Sequence, residues 1–196
     1  MGKRGRGLSF SRRRKKVNIP LLKEIMLWVF EFAFVIAIAY LFVFFIGTGT
    51  RVVGNSMSPN LEDGEKILIN KIAYMLSDPK PNDVVVFLPN GNEKSHYYVK
   101  RVIAVPGDTV QIMDGAIYVN KKLFVDSFDA PAIDDPGIAE EEITIEEDEY
   151  FVLGDNRNDS EDSRYANIGC VKKKYMIGKA WFLYSPISHM GLLRMR

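Results

Sequence analysis

Gly54-Asn55-Ser56-Met57-Ser58-Pro59 lies a few residues beyond a long apolar run, and the chain changes character there. Before it lies an apolar run of membrane-spanning length behind a basic head. After it come short β-branched runs split by turns. Ser56 stands at the centre of the stretch. A serine is a weak nucleophile at its ordinary pKa and needs a base within hydrogen-bond reach. The basic candidate is Lys100, in Y-Y-V-K-R-V-I-A-V over residues 97–105. Lysine serves as a base only when burial among apolar groups removes water from the ammonium and lowers its pKa. Residues at even positions of a strand share a face, so Tyr98, Lys100, Val102 and Ala104 fall together, and Arg101 takes the opposite exposure. Periodicity alone leaves two readings of Lys100, a desolvated base or a snorkelling surface residue. Ser56 likewise reads either as a nucleophile or as a turn residue in a Gly/Asn/Ser/Pro-rich loop.

Working outward, Trp28 to Ile46 reads W-V-F-E-F-A-F-V-I-A-I-A-Y-L-F-V-F-F-I, with Glu31 its single charge. As a helix this spans about 28 Å, which matches a hydrocarbon core of about 30 Å. A cleavable leader has a shorter apolar core of about 7–15 residues, so the segment predicts a retained anchor. Residues 1–16 hold Lys3, Arg4, Arg6, Arg12, Arg13, Arg14, Lys15 and Lys16 and no acid, whereas the whole chain is only +1. The body is therefore acidic. A basic head before a span places the N-terminus in the cytoplasm and the body outside. It also removes the need for a nucleic-acid partner. The domain expectation is a basic head over 1–27, an anchor over 28–46 and an extracytoplasmic body over 47–196. Within 196 residues, 47% hydrophobic content suffices for one core, and the single cysteine, Cys170, excludes an internal disulfide.

The body predicts strands at 66–70, 83–88 and 97–105, a hairpin of T-V-Q-I and A-I-Y-V across Met113-Asp114-Gly115, and late strands at 150–153 and 179–184. Residues 126–149 are acidic and lack a long apolar stretch, so about 111–149 reads as a small inserted cap. The fold class is mainly β with one N-terminal transmembrane helix.

Other constellations are weaker. His96 and His189 are the only histidines, and nothing marks either as poised. Gly54 to Ser58 lacks the last glycine of a G-x-S-x-G elbow. Ser77-Asp78-Pro79-Lys80 spells S-x-x-K, but Pro79 opposes the helix that would align Ser77 with Lys80. Asp155 to Asp162 has Arg157 and Ser160 where a calcium loop needs a ligand and a glycine. No Cys/His cluster suits a metal, and no cofactor is expected.

Three ordered stretches go further: S-M-S-P-N-L at 56–61, K-R-V-I-A-V-P-G-D at 100–108 and G-D-N-R-N-D-S-E-D-S-R at 154–164, with N-D-V-V-V-F at 82–87 between the first two. Together they resemble the bacterial type I signal peptidases, in the single-anchor Gram-positive form. The resemblance covers the anchor and nearly all the body, most weakly 111–149. It implies a β-rich Ser/Lys peptidase domain, tethered to the lipid bilayer, that removes signal peptides from exported preproteins after small-x-small motifs. The resemblance makes Ser56 the nucleophile and Lys100 the general base. It makes the Ser56 amide an oxyanion donor, and Ser160 the hydroxyl that orients the lysine. Asp155, Asp162 and Arg164 become the polar network behind them, and Met57 part of the substrate groove. Some relatives have a hydroxyl at the position of Gly54; this chain does not. It also departs from the usual pattern at Asn60, at Asn82-Asp83 and at Asn158-Asp159, without removing a reacting atom. Trp181, Phe182, Leu192 and Leu193 are candidates for an apolar rim at the membrane. Two other readings remain: a non-catalytic relative assisting assembly of exported or pilus subunits, and a soluble Ser/Lys autoprotease. The oligomeric state is left open.

Overall fold

The computed structural model describes residues 18–193. The basic stretch over 1–16 lies outside the described residues. The described chain divides between Leu41 and Phe42 into two units.

Most of the first unit is α1, Ile19–Ile46, which is long and apolar enough to cross a membrane. It begins at Ile19, not at Trp28 as the apolar run suggested. Lys23 and Glu24 are unsuited to a hydrocarbon core, but they are good helix formers. The backbone therefore continues where the apolar segment stops. Asn18 precedes the helix and its carbonyl accepts the Leu22 amide at 3.0 Å. Pro20 occupies the first turn, where its missing N–H costs nothing. No residue of α1 is buried, and its apolar side chains face outward all round.

The second unit is β-rich. In chain order it contains β1 (Thr48–Arg51), β2 (Lys66–Asn70), α2 (Ala73–Leu76), β3 (Val84–Phe87), β4 (Tyr98–Ala104), β5 (Thr109–Met113), β6 (Ala116–Val119), β7 (Lys122–Leu123), β8 (Ile143–Thr144), β9 (Glu149–Leu153), β10 (Val171–Lys172), β11 (Met176–Ser185) and β12 (Gly191–Leu192). The larger sheet runs β1-β2-β11-β3-β4-β9-β10, with β12 added on β11. A smaller sheet runs β7-β6-β5-β8. Both are antiparallel throughout. The chain leaves the larger sheet after β4, forms the smaller one, and returns at β9 beside β4. The expected strands are all present. The β5–β6 hairpin turns on Asp114 and Gly115, both at positive φ (50° and 76°), the backbone that matches strand twist in a two-residue turn. The two-residue strands β7, β8, β10 and β12 were not legible, because so short a run carries no period.

Three apolar clusters form the core. One gathers Val52, Met57, Leu61, Ile67, Ile69, Val86 and Val99 around the β1–β2 hairpin and β11. A second joins the two sheets, with Ile103, Phe151 and Leu153 from the larger meeting Val110, Ile112 and Ile117 from the smaller. A third packs Val85, Phe87, Val102, Tyr150 and Val152. β4 contributes to all three and is buried from Val99 onward. The expectation that Arg101 is exposed while Lys100 is covered is therefore corrected. Both are 3% exposed, because this central strand is covered on both faces. Among the suggested rim residues, Trp181 donates to the Ile46 carbonyl at 3.0 Å and Leu193 packs on the first cluster, whereas Leu192 is exposed.

Phe151 is wholly buried where the two sheets meet. Phe151→Ala is expected to lower stability by about 3–5 kcal/mol. Chemical denaturation of the full chain, followed by tryptophan fluorescence, measures this. An unchanged midpoint would show that the sheets do not share that core.

Candidate active site

Ser56 lies in the loop between β1 and β2. The loop is closed at its base by hydrogen bonds from Val52 N–H to the Glu65 carbonyl and from Gly64 N–H to the Val52 carbonyl, 2.8 and 2.9 Å. It is pinned at its centre by Met57 and Leu61, 0% and 1% exposed, joined by a Leu61 N–H to Met57 carbonyl bond of 2.9 Å. Apolar side chains thus hold the loop down while Ser56, between them and solvent, is half-buried. Gly54 has φ +81°, a left-handed conformation that disfavours any side chain, and its amide donates to Asp63 Oδ1 at 2.8 Å. The backbone explains why no serine stands there. Met57, expected to line a groove beside Ser56, is wholly buried in the first cluster and also borders a cavity of about 420 Å³.

Lys100 projects from β4 into a dry setting. Its Nζ donates to Ser160 Oγ at 3.1 Å and lies 5.6 Å from the Tyr98 ring centroid. Ser160 Oγ donates to Asp162 Oδ2 at 2.7 Å. Asp162 is in turn held by Arg164, with Nε to Oδ1 at 2.8 Å and Nη2 to Oδ2 at 3.0 Å, and by the Gly154 amide at 3.1 Å. The carboxylate charge is thereby committed to arginine. What touches the lysine is a hydroxyl. Burial is the largest influence on Lys100 and lowers its pKa to about 8, against the partial counter-effect of Asp162 and Glu161.

Arg101, the next residue, is treated in the opposite way. Its Nε and Nη2 contact both oxygens of Asp155 at 2.7 and 2.6 Å, and Asn60 Nδ2 adds a bond to Asp155 Oδ2 at 2.8 Å. A bidentate pair of this kind keeps both charges in a buried place. It borders a cavity of about 420 Å³ that Arg101, Asp155, Leu61 and Lys179 help to line, on the side of β4 away from Lys100.

Gly154 is where the serine and lysine halves meet. A Cβ there would overlap both Ser160 Oγ and the Ser56 carbonyl oxygen. The Ser56 carbonyl accepts the Asn156 amide at 3.1 Å, and Asn156 Nδ2 donates to the Asn55 carbonyl at 3.2 Å. Ser56 Oγ and the Ser56 amide N–H make no hydrogen bond among the described residues. The hydroxyl is therefore uncommitted, and so is the amide.

Of the residues singled out from sequence, Ser56, Lys100, Ser160, Asp162 and Arg164 gather around Gly154, and Asp155 sits one residue beyond on the Arg101 side. Neither histidine joins them: His96 stacks on Tyr98 at 5.2 Å, and His189 Nδ1 lies 2.9 Å from Glu65 Oε1. Ser77 Oγ donates to its own helix at the Ala73 carbonyl and Lys80 takes no part. Sequence reasoning missed Arg157, which is 1% exposed and paired with Asp126. The available signal was an arginine between two asparagines inside an acid-rich loop.

The sequence profile described as "Signal peptidase, peptidase S26" matches residues 25–185. A probable signal peptidase I-2 of Synechocystis is 34% identical over 153 residues, which is 76% of this chain and 68% of that one. A signal peptidase IB of Staphylococcus aureus is 34% identical over 185 residues, 85% of this chain and 92% of that one. A signal peptidase I of Bacillus licheniformis is 34% identical over 71% of this chain and 77% of its own length. A crystal structure of a signal peptidase I from Enterococcus faecalis aligns with a TM-score of 0.42 at 28% identity, over 53% of this chain and 97% of that chain. With its family profile covering most of the chain and relatives 34% identical over 68% and 92% of their own lengths, the chain belongs to the peptidase S26 family of signal peptidases.

Proposed function

We propose that this membrane-anchored signal peptidase cuts signal peptides from exported preproteins with Ser56 as nucleophile and Lys100 as general base. The observation that carries the reading is a lysine amine, 3% exposed, whose contact is a hydroxyl and not a carboxylate. Such an amine loses its proton near neutral pH, as a general base must. The neutral amine takes the Ser56 proton as Oγ attacks the scissile carbonyl. The uncommitted Ser56 amide donates to the developing oxyanion, where a preorganised donor is most effective. With glycine at position 54 a second donor comes from the backbone or from water. The amine passes its proton to the departing amide nitrogen, which leaves with the mature protein. A water deprotonated by the same amine then hydrolyses the ester and frees the signal peptide.

Ser160, Asp162 and Arg164 act by holding the lysine. The hydroxyl fixes Nζ while Arg164 neutralises Asp162, so no carboxylate stabilises the ammonium at contact distance. Met57 shapes the floor below the nucleophile, and specificity for small-x-small junctions follows from shallow pockets above that floor. The basic N-terminus lies in the cytoplasm and the β-rich unit outside, the orientation that the positive-inside rule favours. The smaller sheet is a cap inserted between β4 and β9. Tethering by α1 keeps the site near junctions that emerge at the bilayer, which raises their effective concentration.

Ser56→Ala and Lys100→Ala should each reduce turnover on the order of 10⁴-fold or more while leaving the chain folded. Purified full-length protein in detergent, a model preprotein and mass spectrometry of the cut position provide the test. Retained cleavage by either variant would point to another site. For pH the sign is fixed. Below about 8 the amine is protonated and cannot accept, so kcat/KM should rise with pH and level off above about 8. A rise centred near 6 would instead implicate a histidine. Gly154→Ala pushes a methyl against Ser160 Oγ and the Ser56 carbonyl. Turnover should fall about 100-fold, with a stability loss of about 1–3 kcal/mol. Wild-type turnover in that variant would show that the spacing across Gly154 does not matter.

A further inference from the structure

Beyond the residues given a role above, a chain of contacts links the segment between β7 and β8 to the Gly154–Arg164 loop. The Arg157 guanidinium pairs with Asp126, and its Nε donates to the Gly154 carbonyl at 3.1 Å. The Phe128 ring lies over two guanidiniums at once, 5.6 Å from Arg157 Cζ and 5.2 Å from Arg101 Cζ. Further along, Asn158 Nδ2 donates to the Ala132 carbonyl at 2.9 Å and the Asp134 amide donates to Asn158 Oδ1 at 3.0 Å. Arg164 Nη1 donates to the Asp135 carbonyl at 3.1 Å, and the Ile138 amide to the Arg164 carbonyl at 2.9 Å. Residues 126–138 thus form a strap bonded along the loop that carries Ser160 and Asp162.

These contacts converge where spacing is tightest. Arg157 grips the carbonyl of Gly154, whose amide holds Asp162 and whose missing Cβ lets the Ser56 carbonyl and Ser160 hydroxyl close up. Arg101 is fixed to Asp155, the residue after Gly154, and immediately follows Lys100 on β4. One aromatic ring lies over both arginines, which are 3% and 1% exposed. A shift of the strap is therefore transmitted to Gly154 from two directions.

We propose that Asp126 and Phe128 are positioning residues for the cleavage reaction: through Arg157 and Arg101 they fix Gly154 and hold Ser160 Oγ against Lys100 Nζ. The proposal rests on the Ser56/Lys100 reading. The charged groups that act on Lys100 are Asp162, Glu161, Arg164 and Asp155, all from the 154–164 loop; Arg101 is its neighbour on β4. Asp126 and Arg157 are not among them, and Phe128 carries no charge. A change in the pH profile on altering Phe128 therefore reports geometry and hydration, not a direct field.

The test uses the full-length chain in lipid vesicles with a preprotein substrate, comparing wild type, Phe128→Leu, Phe128→Tyr, Asp126→Asn and Asp126→Glu. kcat, KM, the alkaline midpoint and the melting temperature are read for each. Phe128→Leu should lower kcat about 10- to 100-fold, leave KM nearly unchanged, and move the midpoint upward as water reaches the amine. Phe128→Tyr, which keeps the ring, should restore both. Should Phe128→Leu fail to fold, Asp126→Asn carries the same expectation, with Asp126→Glu as the partial rescue. Unchanged kcat and midpoint in a folded Phe128→Leu would overturn the proposal. So would loss of kcat that follows melting temperature alone with the midpoint fixed. Those results, with Ser56→Ala and Lys100→Ala inactive, leave the catalytic pair standing. Activity in either alanine variant sinks the pair itself.

Discussion

A primary amine buried without a carboxylate against it is the constraint on which this site depends. Two basic residues stand side by side on β4, and both are 3% exposed. Arg101 receives a carboxylate in bidentate contact and remains a charge. Lys100 receives a hydroxyl. The acid that acts on it most strongly, Asp162, is held by Arg164 through both of its oxygens. Desolvation of an ammonium is costly unless a counter-charge compensates it. The fold leaves that compensation incomplete for Lys100 and supplies it for Arg101. On the proposed reading, base and structural cation differ by their partners and not by burial.

Such an amine has value only beside a hydroxyl. Here backbone contacts bring the loop of Ser56 against the loop of Ser160, the hydroxyl that Lys100 touches. The β1–β2 loop cannot lift away, because Met57 and Leu61 are sunk in the core on either side of its turn. The 154–164 loop cannot drop away either, because its buried arginines each hold a carboxylate and a carbonyl. Gly154 lies at the seam, and its lack of a side chain sets how near the loops approach. The larger sheet delivers Lys100 to the same place from β4, whose covered faces keep water from the amine's stem.

The smaller sheet enters this arrangement through its connections. Its strands share a core with β4 and β9, so it cannot hinge freely on its two linkers. The segment leading from β7 to β8 lies along the loop behind Lys100. A region whose acidic composition suggests solvent exposure therefore directs an aspartate and a phenylalanine inward, onto arginines.

Much of this was legible in the amino-acid sequence. The apolar run specified a membrane-length helix, because hydrocarbon thickness and helix rise leave little choice. β-branched runs bounded by Gly, Pro and Asn specified the longer strands and the Asp-Gly hairpin. The order of the Ser56, Lys100 and Gly154–Arg164 stretches specified the family. The helix start was misjudged because hydropathy locates the lipid-facing part and helix propensity runs past it. The exposure of Arg101 was misjudged because a two-residue period assumes one wet face, and a central strand of a doubly covered sheet has none. No local pattern pairs Asp126 with Arg157 or sets Phe128 over Arg101. Residues distant in sequence become neighbours only when β9 returns beside β4. Sequence determined which groups are available for chemistry. Tertiary structure decided which charges are compensated, because compensation depends on distances across strands and loops that no local period encodes.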